Sequence, residues 1–414
     1  MMPGITARIV LLSTLMITGQ VWAMSRPAQG DNVQLGPRPY FLVNDMDNGP
    51  LKERLSQCQQ QPQQASRFSI AHRGAPLMFP EHSREGYIAA ARMGAGMIEC
   101  DVAFTKDRGL VCRHSQCDLH STTNILATDL AQTCRVPPQT DADGKLINGA
   151  DIRCCTSDIT LAEFRTLTAK MDAANVSAGT VAEYMDATPS WRTDLYAAHA
   201  TLMTHKDSIG LLDPLGVDFT PELKAAEVSM PYDRDYTQAR YAQQMIDEYK
   251  AAGIKPERVW PQSFSHDDII YWLQHEPDFG RQAVFLLEEG KDSITSATLQ
   301  SWYGEGIRIL APATWMLVDA DGHGNIVPSQ FAKNAKAAGF KLIAWTLERS
   351  GLLQDNGGWY YQSLNGDNGG QDVIDNDGDV YRLLDVLAQD VGVTGVFSDW
   401  PATTTYYANC MNKK

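Results

Sequence analysis

Short apolar runs separated by amphipathic stretches recur along most of this chain. From Phe68 onward we count eight of them, which end at Ala71, Cys100, Thr220, Pro261, Leu287, Leu310, Ala344 and Phe397. Such alternation of strands and helices is typical of a parallel sheet, because each parallel crossover needs a connection long enough for a helix. Eight repeats favour a closed barrel over an open sheet. With 414 residues and 43% hydrophobic content, the chain can bury such a core, and we predict an α/β fold, a TIM-type (β/α)8 barrel.

Polar side chains follow nearly every apolar run, where a strand would leave the core. They are Arg73, Asp101, Glu222, Lys224, Gln262, Ser263, Glu288, Glu289, Thr314, Thr346, Glu348, Ser398 and Asp399. The carboxyl ends of parallel strands meet at one rim of a barrel, and barrel enzymes carry their chemistry there. Helices are predicted between the strands at residues 84–93, 239–252, 267–275 and 329–338. We therefore expect the functional residues to gather at this rim.

An antiparallel arm follows the second strand. The segment 104–109 is all that separates that strand from the apolar stretch 110–114. It is too short for a parallel crossover, which needs roughly a dozen residues, so the chain must fold back as a hairpin. The pairing brings His114 level with Glu99 and Asp101. The hairpin thus adds a histidine to the polar rim.

The chain divides into parts of different composition. Arg8 precedes an apolar run that ends near Val21-Trp22-Ala23, a pattern typical of a secretory signal peptide, with an uncleaved membrane anchor as the alternative. Residues 115–217 are too long for an ordinary connection and indicate an inserted subdomain, with a helix predicted from Leu161 to about Lys170. This insertion either caps the active rim or only stabilises the barrel. The predicted parts are a signal peptide (1–23), an N-terminal surface segment (24–66), the barrel (67–114 and 218–414) and a Cys-rich insertion (115–217).

The cysteines favour a compartment outside the cytosol. There are eight, an even number, and disulfides persist in oxidising compartments, so we predict a secreted or periplasmic protein. Cys58 and Cys410 lie near the two ends of the mature chain and are predicted to join them. The adjacent pair Cys154-Cys155 must find separate partners, since neighbours rarely satisfy disulfide geometry. Cys100 and Cys112 lie within strands and are either bonded or free buried thiols.

Three carboxylates predict a cation site. Glu99 and Asp101 are two positions apart on one strand, so their side chains face the same side, and Glu222 follows the neighbouring strand. Carboxylates without cysteine or histidine suit a hard divalent cation better than zinc. We expect Ca²⁺, with Mg²⁺ as the second choice. The alternative is that the carboxylates form salt bridges with Arg73 and Lys224.

Two histidines could transfer protons at this rim. His72 and His114 are the only groups there whose ordinary pKa lies near neutrality, so one could act as base and the other as acid. The net charge of −15 argues against nucleic acid and anionic membrane surfaces as partners. An anionic ligand would need local cations, and Arg73 and Lys224 are placed to supply them.

Taken in order, these motifs resemble the glycerophosphodiester phosphodiesterase family, in its secreted or periplasmic branch. The matching segments span roughly residues 68–402 and are His72-Arg73-Gly74, Pro80-Glu81-His82, Glu99-Cys100-Asp101, Thr105-Lys106-Asp107, His114, Pro221-Glu222-Leu223-Lys224, Gln262-Ser263-Phe264, Trp345-Thr346 and Asp399-Trp400-Pro401. Such a series is more specific than a single His-Arg-Gly.

The resemblance implies roles for these residues within a TIM-type barrel. It implies His72 and His114 as the acid/base pair and Glu99, Asp101 and Glu222 as metal ligands. Phosphate and substrate would be bound by Arg73, Lys224, Glu81, Phe264 and Trp345, with Glu81 near the metal or a substrate hydroxyl and the two aromatic rings against the glycerol. One departure is Ser115, which stands where the family usually has an aspartate after the second histidine.

The predicted function is a secreted, metal-dependent phosphodiesterase. It would hydrolyse small glycerophosphodiesters, such as glycerophosphocholine, to sn-glycerol 3-phosphate and an alcohol by His acid/base catalysis, with no stable insertion into membranes. One alternative is a phospholipase D-like enzyme that acts on lysophospholipids, with an internal hydroxyl as nucleophile. Another is a noncatalytic surface binding protein that has kept the barrel. Retention of all three carboxylates and both histidines argues against the second alternative.

Overall fold

Eight parallel strands form a closed barrel. The computed structural model describes Met1 and residues 32–197, 200–365 and 373–413, so the predicted signal peptide lies outside the described residues apart from Met1. The strands are β1 (Ser66–Ala71), β2 (Ala95–Phe104), β3 (Leu110–Cys112), β4 (Asp218–Leu223), β5 (Gln262–Ser263), β6 (Val284–Leu287), β7 (Ile309–Pro312), β8 (Val318–Ala320), β9 (Ile326–Pro328), β10 (Lys341–Leu347) and β11 (Gly395–Ser398). Their order is β1-β11-β10-β7-β6-β5-β4-β2, and parallel pairing of β1 with β2 closes the ring. β3 extends β2 in antiparallel fashion, and β8 and β9 form a separate hairpin.

Helices connect and cover the strands. The α-helices are α1 (Arg38–Asp45), α2 (Pro50–Gln57), α3 (Arg84–Arg92), α4 (Leu119–Thr122), α5 (Leu161–Phe164), α6 (Val181–Met185), α7 (His205–Leu215), α8 (Gln238–Ala251), α9 (His266–His275), α10 (Pro277–Gly280), α11 (Ser296–Glu305), α12 (Thr314–Leu317), α13 (Gln330–Ala337), α14 (Gln362–Asn365), α15 (Val380–Asp385) and α16 (Ala402–Cys410). Shorter 3₁₀ turns lie at 125–127, 129–133, 149–151, 156–158, 256–258, 353–355, 358–361 and 377–379, and a π-helical segment lies at 386–391.

The predicted barrel is confirmed, and seven of the eight apolar runs overlap its strands, while the run that ends at Pro261 immediately precedes β5. The four predicted barrel helices also form, as α3, α8, α9 and α13, each with a Ser or Thr N-cap whose side chain accepts a backbone N–H of the first turn. Gly253 and Gly339 follow α8 and α13 with φ of +71° and +97°, as expected for helix ends. Local sequence signals therefore set most of these boundaries.

Apolar side chains fill the barrel and leave its carboxyl end to polar groups. The interior cluster comprises Ile70, Met97, Val284, Leu286, Ile309, Ala311, Ile343 and Phe397. A larger cluster packs the outer face of the strands against the helices. Because the interior is closed by packed side chains, a ligand can reach polar groups only at the rim.

The inserted segment packs around a second apolar cluster, which it shares with Ala103 of β2 and Val111 of β3. Its other members include Leu119, Ile125, Phe164 and Tyr184, and two disulfides, Cys117–Cys155 and Cys134–Cys154, cross-link the segment. The adjacent cysteines thus have separate partners, as predicted. The predicted helix from Leu161 to about Lys170 is wrong, because α5 ends at Phe164. The following residues pair instead as extended chain, Thr168 with Thr201 and Ala169 with Thr123.

The N-terminal segment packs more closely than its polar composition indicates. Leu42, Val43 and Leu55, on α1 and α2, are fully buried. The predicted Cys58–Cys410 disulfide is wrong, since both cysteines are free and buried. Their side chains approach each other because α2 packs on α16, and the hydroxyl of Tyr406 on α16 donates to Leu55 O (2.5 Å). Noncovalent packing therefore joins the ends of the described chain.

No helix in the described ranges is long and apolar enough to cross a membrane.

A disulfide joins β2 to β3, between Cys100 and Cys112. Replacing both cysteines by serine is expected to lower the free energy of unfolding by about 3 kcal/mol, because the bond limits the freedom of the unfolded chain. Urea denaturation without reductant measures the change. The matched control is Cys58→Ser/Cys410→Ser, which removes two buried thiols without breaking a cross-link and should cost clearly less. Equal losses in the two double variants would contradict the expectation.

Candidate active site

The turn after β1 brings two predicted site residues to the rim. Arg73 has φ of +56° and Gly74 φ of +99°, and a Cβ at Gly74 would lie 3.1 Å from the backbone of Gly86, so only glycine fits there. In this turn the Arg73 backbone N–H donates to Glu99 Oε2 (3.0 Å). His72 Nδ1 lies 2.6 Å from Asp399 Oδ1, and its Nε2 lies 3.9 Å from Glu99 Oε2. Burial, with the charge of Arg73, lowers the pKa of His72 to about 4 against the pull of Asp399.

The three predicted metal ligands lie together. β2 and β4 pair so that Asp101 lies opposite Glu222 and Glu99 opposite Thr220. One carboxylate oxygen from each of Glu99, Asp101 and Glu222 lies within 4.8 Å of the others, and all three residues are buried. Burial and the proximity of the other carboxylates raise the pKa of Glu99 well above its ordinary value. Burial and the neighbouring Asp101 raise the pKa of Glu222 to about 8, against the pull of Lys224.

The donor set of this triad fits a hard divalent cation. Asp101 Oδ1 is buried and has no hydrogen-bond partner among the described residues. Glu99 Oε1 accepts a hydrogen bond from Gln262 Nε2 (2.7 Å), which holds that carboxylate in place. A cation would satisfy the unpaired oxygen and offset the repulsion that raises the pKa of Glu222, and an all-oxygen donor set suits Ca²⁺ or Mg²⁺.

His114 and Lys224 complete the polar rim. Val102 lies opposite Cys112, and the Arg113 N–H donates to Asp101 O (2.7 Å), so the antiparallel arm carries His114 into the same cavity as His72. Burial and the charges of Arg73 and Lys224 hold the pKa of His114 well below its ordinary value. Lys224 Nζ donates to Glu222 Oε1 (2.6 Å). Arg73 Nε lies 3.4 Å from Asp101 Oδ2. The salt bridges of the alternative prediction therefore form with both Arg73 and Lys224.

The cavity above these groups has a volume of about 790 Å³, enough for a small organic ligand. One wall carries the polar groups and the other is aromatic. Trp345 has its ring centroid 5.7 Å from that of Phe264, 5.8 Å from that of Trp359 and 5.8 Å from that of Tyr360. Phe264 and Trp359 remain 37% and 43% exposed, so this wall extends to the mouth of the cavity.

Comparison with known proteins places this site in a family. A family model for the glycerophosphoryl diester phosphodiesterase family matches residues 72–403. The chain belongs to this family. The predictions of family, barrel fold and phosphoric diester hydrolase are therefore confirmed.

Two proteins and one solved structure illustrate what this phosphodiesterase is similar to. A protein of Arthroderma benhamiae named an extracellular protein is 51% identical over 251 residues, which cover 58% of this chain and 100% of the relative. A glycerophosphodiester phosphodiesterase of Haemophilus influenzae is 22% identical over 379 residues, 82% of this chain and 89% of the relative. A solved structure from Silicibacter pomeroyi, described as a glycerophosphoryl diester phosphodiesterase, has 16% identity and a TM-score of 0.54, and the match covers 86% of this chain and 98% of that one. The solved structure supports the barrel fold alone.

Not all predicted site residues of the phosphodiesterase line the cavity. His72, Arg73, Glu99, His114, Glu222, Lys224, Phe264 and Trp345 do so. Glu81 lies behind the cavity, where its Oε2 accepts a hydrogen bond from Arg73 Nη1 (3.0 Å). Asp101 also lies behind it, and His82 Nε2 contacts Asp101 Oδ2 at 2.9 Å. Burial opposes ionisation of Asp101, yet the charge and hydrogen bond of His82 keep the pKa of Asp101 well below its ordinary value.

Ser115, which stands where the family usually has an aspartate, offers no carboxylate that could orient the neighbouring His114. Its backbone N–H donates to Asp118 Oδ2 (3.0 Å), and its hydroxyl donates to Glu227. In the described part of the chain, neither Asp118 nor Glu227 hydrogen-bonds the His114 ring. His72 is therefore the better oriented of the two imidazoles, since Asp399 holds its Nδ1.

Sequence reasoning missed several residues of this phosphodiesterase site. It placed Asp399 at the rim without a role, although Asp399 is the partner of His72. It did not single out Arg349, which contacts Asp399, or the aromatic residues Trp359 and Tyr360. A charged residue soon after a strand is a signal that could have found Arg349. Its contacts are invisible in the sequence because the partners come from distant segments.

Proposed function

We propose that this family member is a secreted enzyme that hydrolyses glycerophosphodiesters to sn-glycerol 3-phosphate and a free alcohol. One observation carries the proposal: two imidazoles, two cationic side chains and two of the three triad carboxylates line the same cavity. Three disulfides and a relative named an extracellular protein support secretion.

Arg73 and Lys224 bind the phosphate in this proposal. The guanidinium of Arg73 is held from behind by Glu81, and Lys224 is held by Glu222. Both cations are therefore fixed before the substrate arrives, which favours catalysis because little reorganisation is needed as charge develops on the phosphoryl oxygens. A divalent cation bound by Glu99, Asp101 and Glu222, with Ca²⁺ favoured, would add positive charge for phosphate and glycerol oxygens.

The two histidines perform the proton transfers. As a water oxygen bonds to phosphorus, one neutral imidazole takes the proton of that water. The bond between phosphorus and the alcohol oxygen breaks, and the other imidazole, whose protonated form is favoured by the negative charge of the bound diester, gives its proton to the departing oxygen. His72 meets the geometric requirement because Asp399 binds Nδ1 and leaves Nε2 on the cavity side.

The aromatic wall gives the substrate its position. Phe264 and Trp345 provide apolar faces against which the carbon chain of a glycerol can pack. The same wall favours a second candidate function, a phospholipase D-like reaction on lysophospholipids in which an internal hydroxyl forms a cyclic phosphate. The observation behind it is the exposure of Phe264 and Trp359 at the mouth, where an acyl chain could lie.

Release of glycerol 3-phosphate from glycerophosphocholine tests the proposal. The protein with its disulfides formed is assayed with Ca²⁺, with Mg²⁺ and with chelator, and lysophosphatidylcholine is assayed in parallel. We expect metal-dependent release of glycerol 3-phosphate, and higher kcat/KM for glycerophosphocholine than for the lysophospholipid. If only the lysophospholipid reacted and gave a cyclic phosphate, the phospholipase D-like function would be supported and hydrolysis of glycerophosphodiesters would be refuted. No turnover of either substrate would contradict both.

A further inference from the structure

Arg349 joins three carboxylates immediately behind the candidate active site. It follows β10 after Glu348, whose φ of +65° turns the chain. Its Nη2 donates to Asp172 Oδ2 (2.7 Å) and Glu81 Oε2 (3.0 Å), and its Nη1 donates to Asp399 Oδ2 (3.2 Å). The Arg349 side chain is only 15% exposed. A mostly buried guanidinium is held rigidly here, because three carboxylates accept hydrogen bonds from two of its nitrogens and so restrain rotation of its plane.

Two of these carboxylates each support a residue that faces the cavity. Asp399 contacts His72 Nδ1 at 2.6 Å through its other oxygen, and Glu81 binds Arg73 Nη1 at 3.0 Å. One guanidinium therefore orients both the imidazole proposed for proton transfer and the cation proposed for phosphate binding. Loss of Arg349 would leave two nearly buried carboxylates with one partner fewer, and they would be free to rotate away from His72 and Arg73.

The third carboxylate, Asp172, belongs to the inserted segment. Its Oδ1 accepts a hydrogen bond from Arg192 Nη2 (2.6 Å), and Arg192 also donates through Nε to Pro76 O (3.0 Å), in the loop after β1. Asp172 is thus fixed between two arginines at the point where the insertion contacts the loop after His72-Arg73-Gly74. Asp172 offsets the positive charge of Arg349 and restrains the Nη2 side of its guanidinium.

We propose that Arg349 and Asp172 are positioning residues for the reaction, so that the insertion completes the active site as well as enlarging the fold. The inference rests on the proposed function, because it assigns His72 and Arg73 their catalytic and binding roles. Arg349 acts through Asp399 and Glu81, and Asp172 acts through Arg349. Neither residue needs to touch the substrate.

Steady-state kinetics of Arg349→Gln, Asp172→Asn and the double variant test this inference. Arg349→Gln should lower kcat about 100-fold with KM changed less than about threefold, since small displacements of catalytic groups cost factors of this size. Asp172→Asn should lower kcat about tenfold, and the double variant should be no slower than Arg349→Gln, because residues in one chain of contacts are not additive. Arg349→Lys, which keeps the charge, should recover part of the lost kcat.

The matched control is Glu85→Gln. Glu85, on α3, also joins barrel and insertion, through hydrogen bonds to the backbone and hydroxyl of Thr201, but it contacts none of the site residues. Its kcat should stay within about twofold of the wild type, as for surface substitutions in general. An equal loss of kcat in Glu85→Gln and Asp172→Asn would overturn the proposal in favour of a purely structural insertion. So would unchanged kcat in Arg349→Gln, or fully multiplicative effects in the double variant.

The same variants are also assayed with bis(p-nitrophenyl) phosphate, a chromogenic diester, to separate this inference from the proposed substrate. Hydrolysis of that diester without hydrolysis of glycerophosphodiesters would refute the proposed function while still testing Arg349. Should Arg349→Gln fail to fold, Asp172→Asn and Arg349→Lys decide the question: kcat equal to that of the wild type in both would overturn it.

Discussion

Replacement of His72 by asparagine is expected to lower kcat for glycerophosphocholine by about 10³-fold while the protein stays folded, because the variant cannot transfer a proton at the position of Nε2. The asparagine amide can still donate to Asp399, as Nδ1 does at 2.6 Å, and Arg349 continues to pair with Asp399. The buried carboxylate therefore keeps its partners. The measurement is kcat together with the thermal unfolding temperature.

His114→Ala should cause a similar loss of kcat, since the reaction needs one imidazole for each proton transfer. The His114 ring has no hydrogen-bond partner in the described part of the chain, so removal of this ring should lower the free energy of unfolding only slightly. His275→Ala is the control, because His275 lies exposed at the end of α9. If His72→Asn retained more than a tenth of wild-type activity, acid/base catalysis by His72 would be wrong, and a loss in His275→Ala would point to a general effect on folding.

Replacement of Glu222 by glutamine is expected to weaken binding of Ca²⁺ about 100-fold, because affinity for a hard cation depends on the number of charged ligands. Glutamine keeps the shape and an oxygen for Lys224, whose Nζ lies 2.6 Å from Glu222 Oε1. Activity should fall about 10³-fold if the cation stabilises several kcal/mol of developing charge. Isothermal titration calorimetry measures the affinity, and glycerol 3-phosphate release measures the activity.

Cation affinity should also depend on pH in a direction set by the triad. The pKa of Glu222 is raised to about 8, and that of Glu99 is raised as well. Below pH 8 the cation-free triad therefore holds a proton that a cation must displace. Affinity is expected to rise from pH 6 to pH 8 and then level off, with proton release detected by calorimetry in buffers of different ionisation enthalpy.

The free energy of unfolding of the cation-free protein should fall as pH rises, whereas cation affinity increases. A carboxyl group whose folded pKa exceeds its unfolded value binds more protons in the folded state, so stability falls as pH rises from about 4.5 to about 8. Added Ca²⁺ should remove this fall. Glu289→Gln is the control, because Glu289 is an exposed carboxylate after β6 that lies outside the cavity lining. Equal Ca²⁺ affinity in Glu222→Gln and Glu289→Gln would refute the metal assignment.

Two structural predictions from the sequence are wrong, for different reasons. A helix was predicted from Leu161 to about Lys170, but Thr168 and Ala169 pair with Thr201 and Thr123 and so become extended. Cys58 and Cys410 were predicted to form a disulfide, yet helix packing alone joins the two ends. The helix prediction rested on a local pattern that is compatible with two structures, and contacts from distant segments decided between them. The disulfide prediction rested on the position of the two cysteines near the chain ends, which brings them together without requiring a bond.

The sequence by itself determined the barrel, its strands and the principal site residues. Apolar periodicity follows from burial of each strand, and the placement of His72, Glu99 and Asp101 follows from where a strand leaves the core. Such features need only local spacing and the rule that parallel strands share a carboxyl edge.

Only the tertiary structure decided what stands behind those residues. Asp399 reaches His72 from the last strand, and Arg349 joins Asp399 to Asp172, which lies far away in the inserted segment. Hydrogen-bond partners of this kind are selected by three-dimensional distance, which the spacing of residues along a chain does not encode. The sequence therefore determined which groups could perform the chemistry, and the fold determined which of them are held in place and by what.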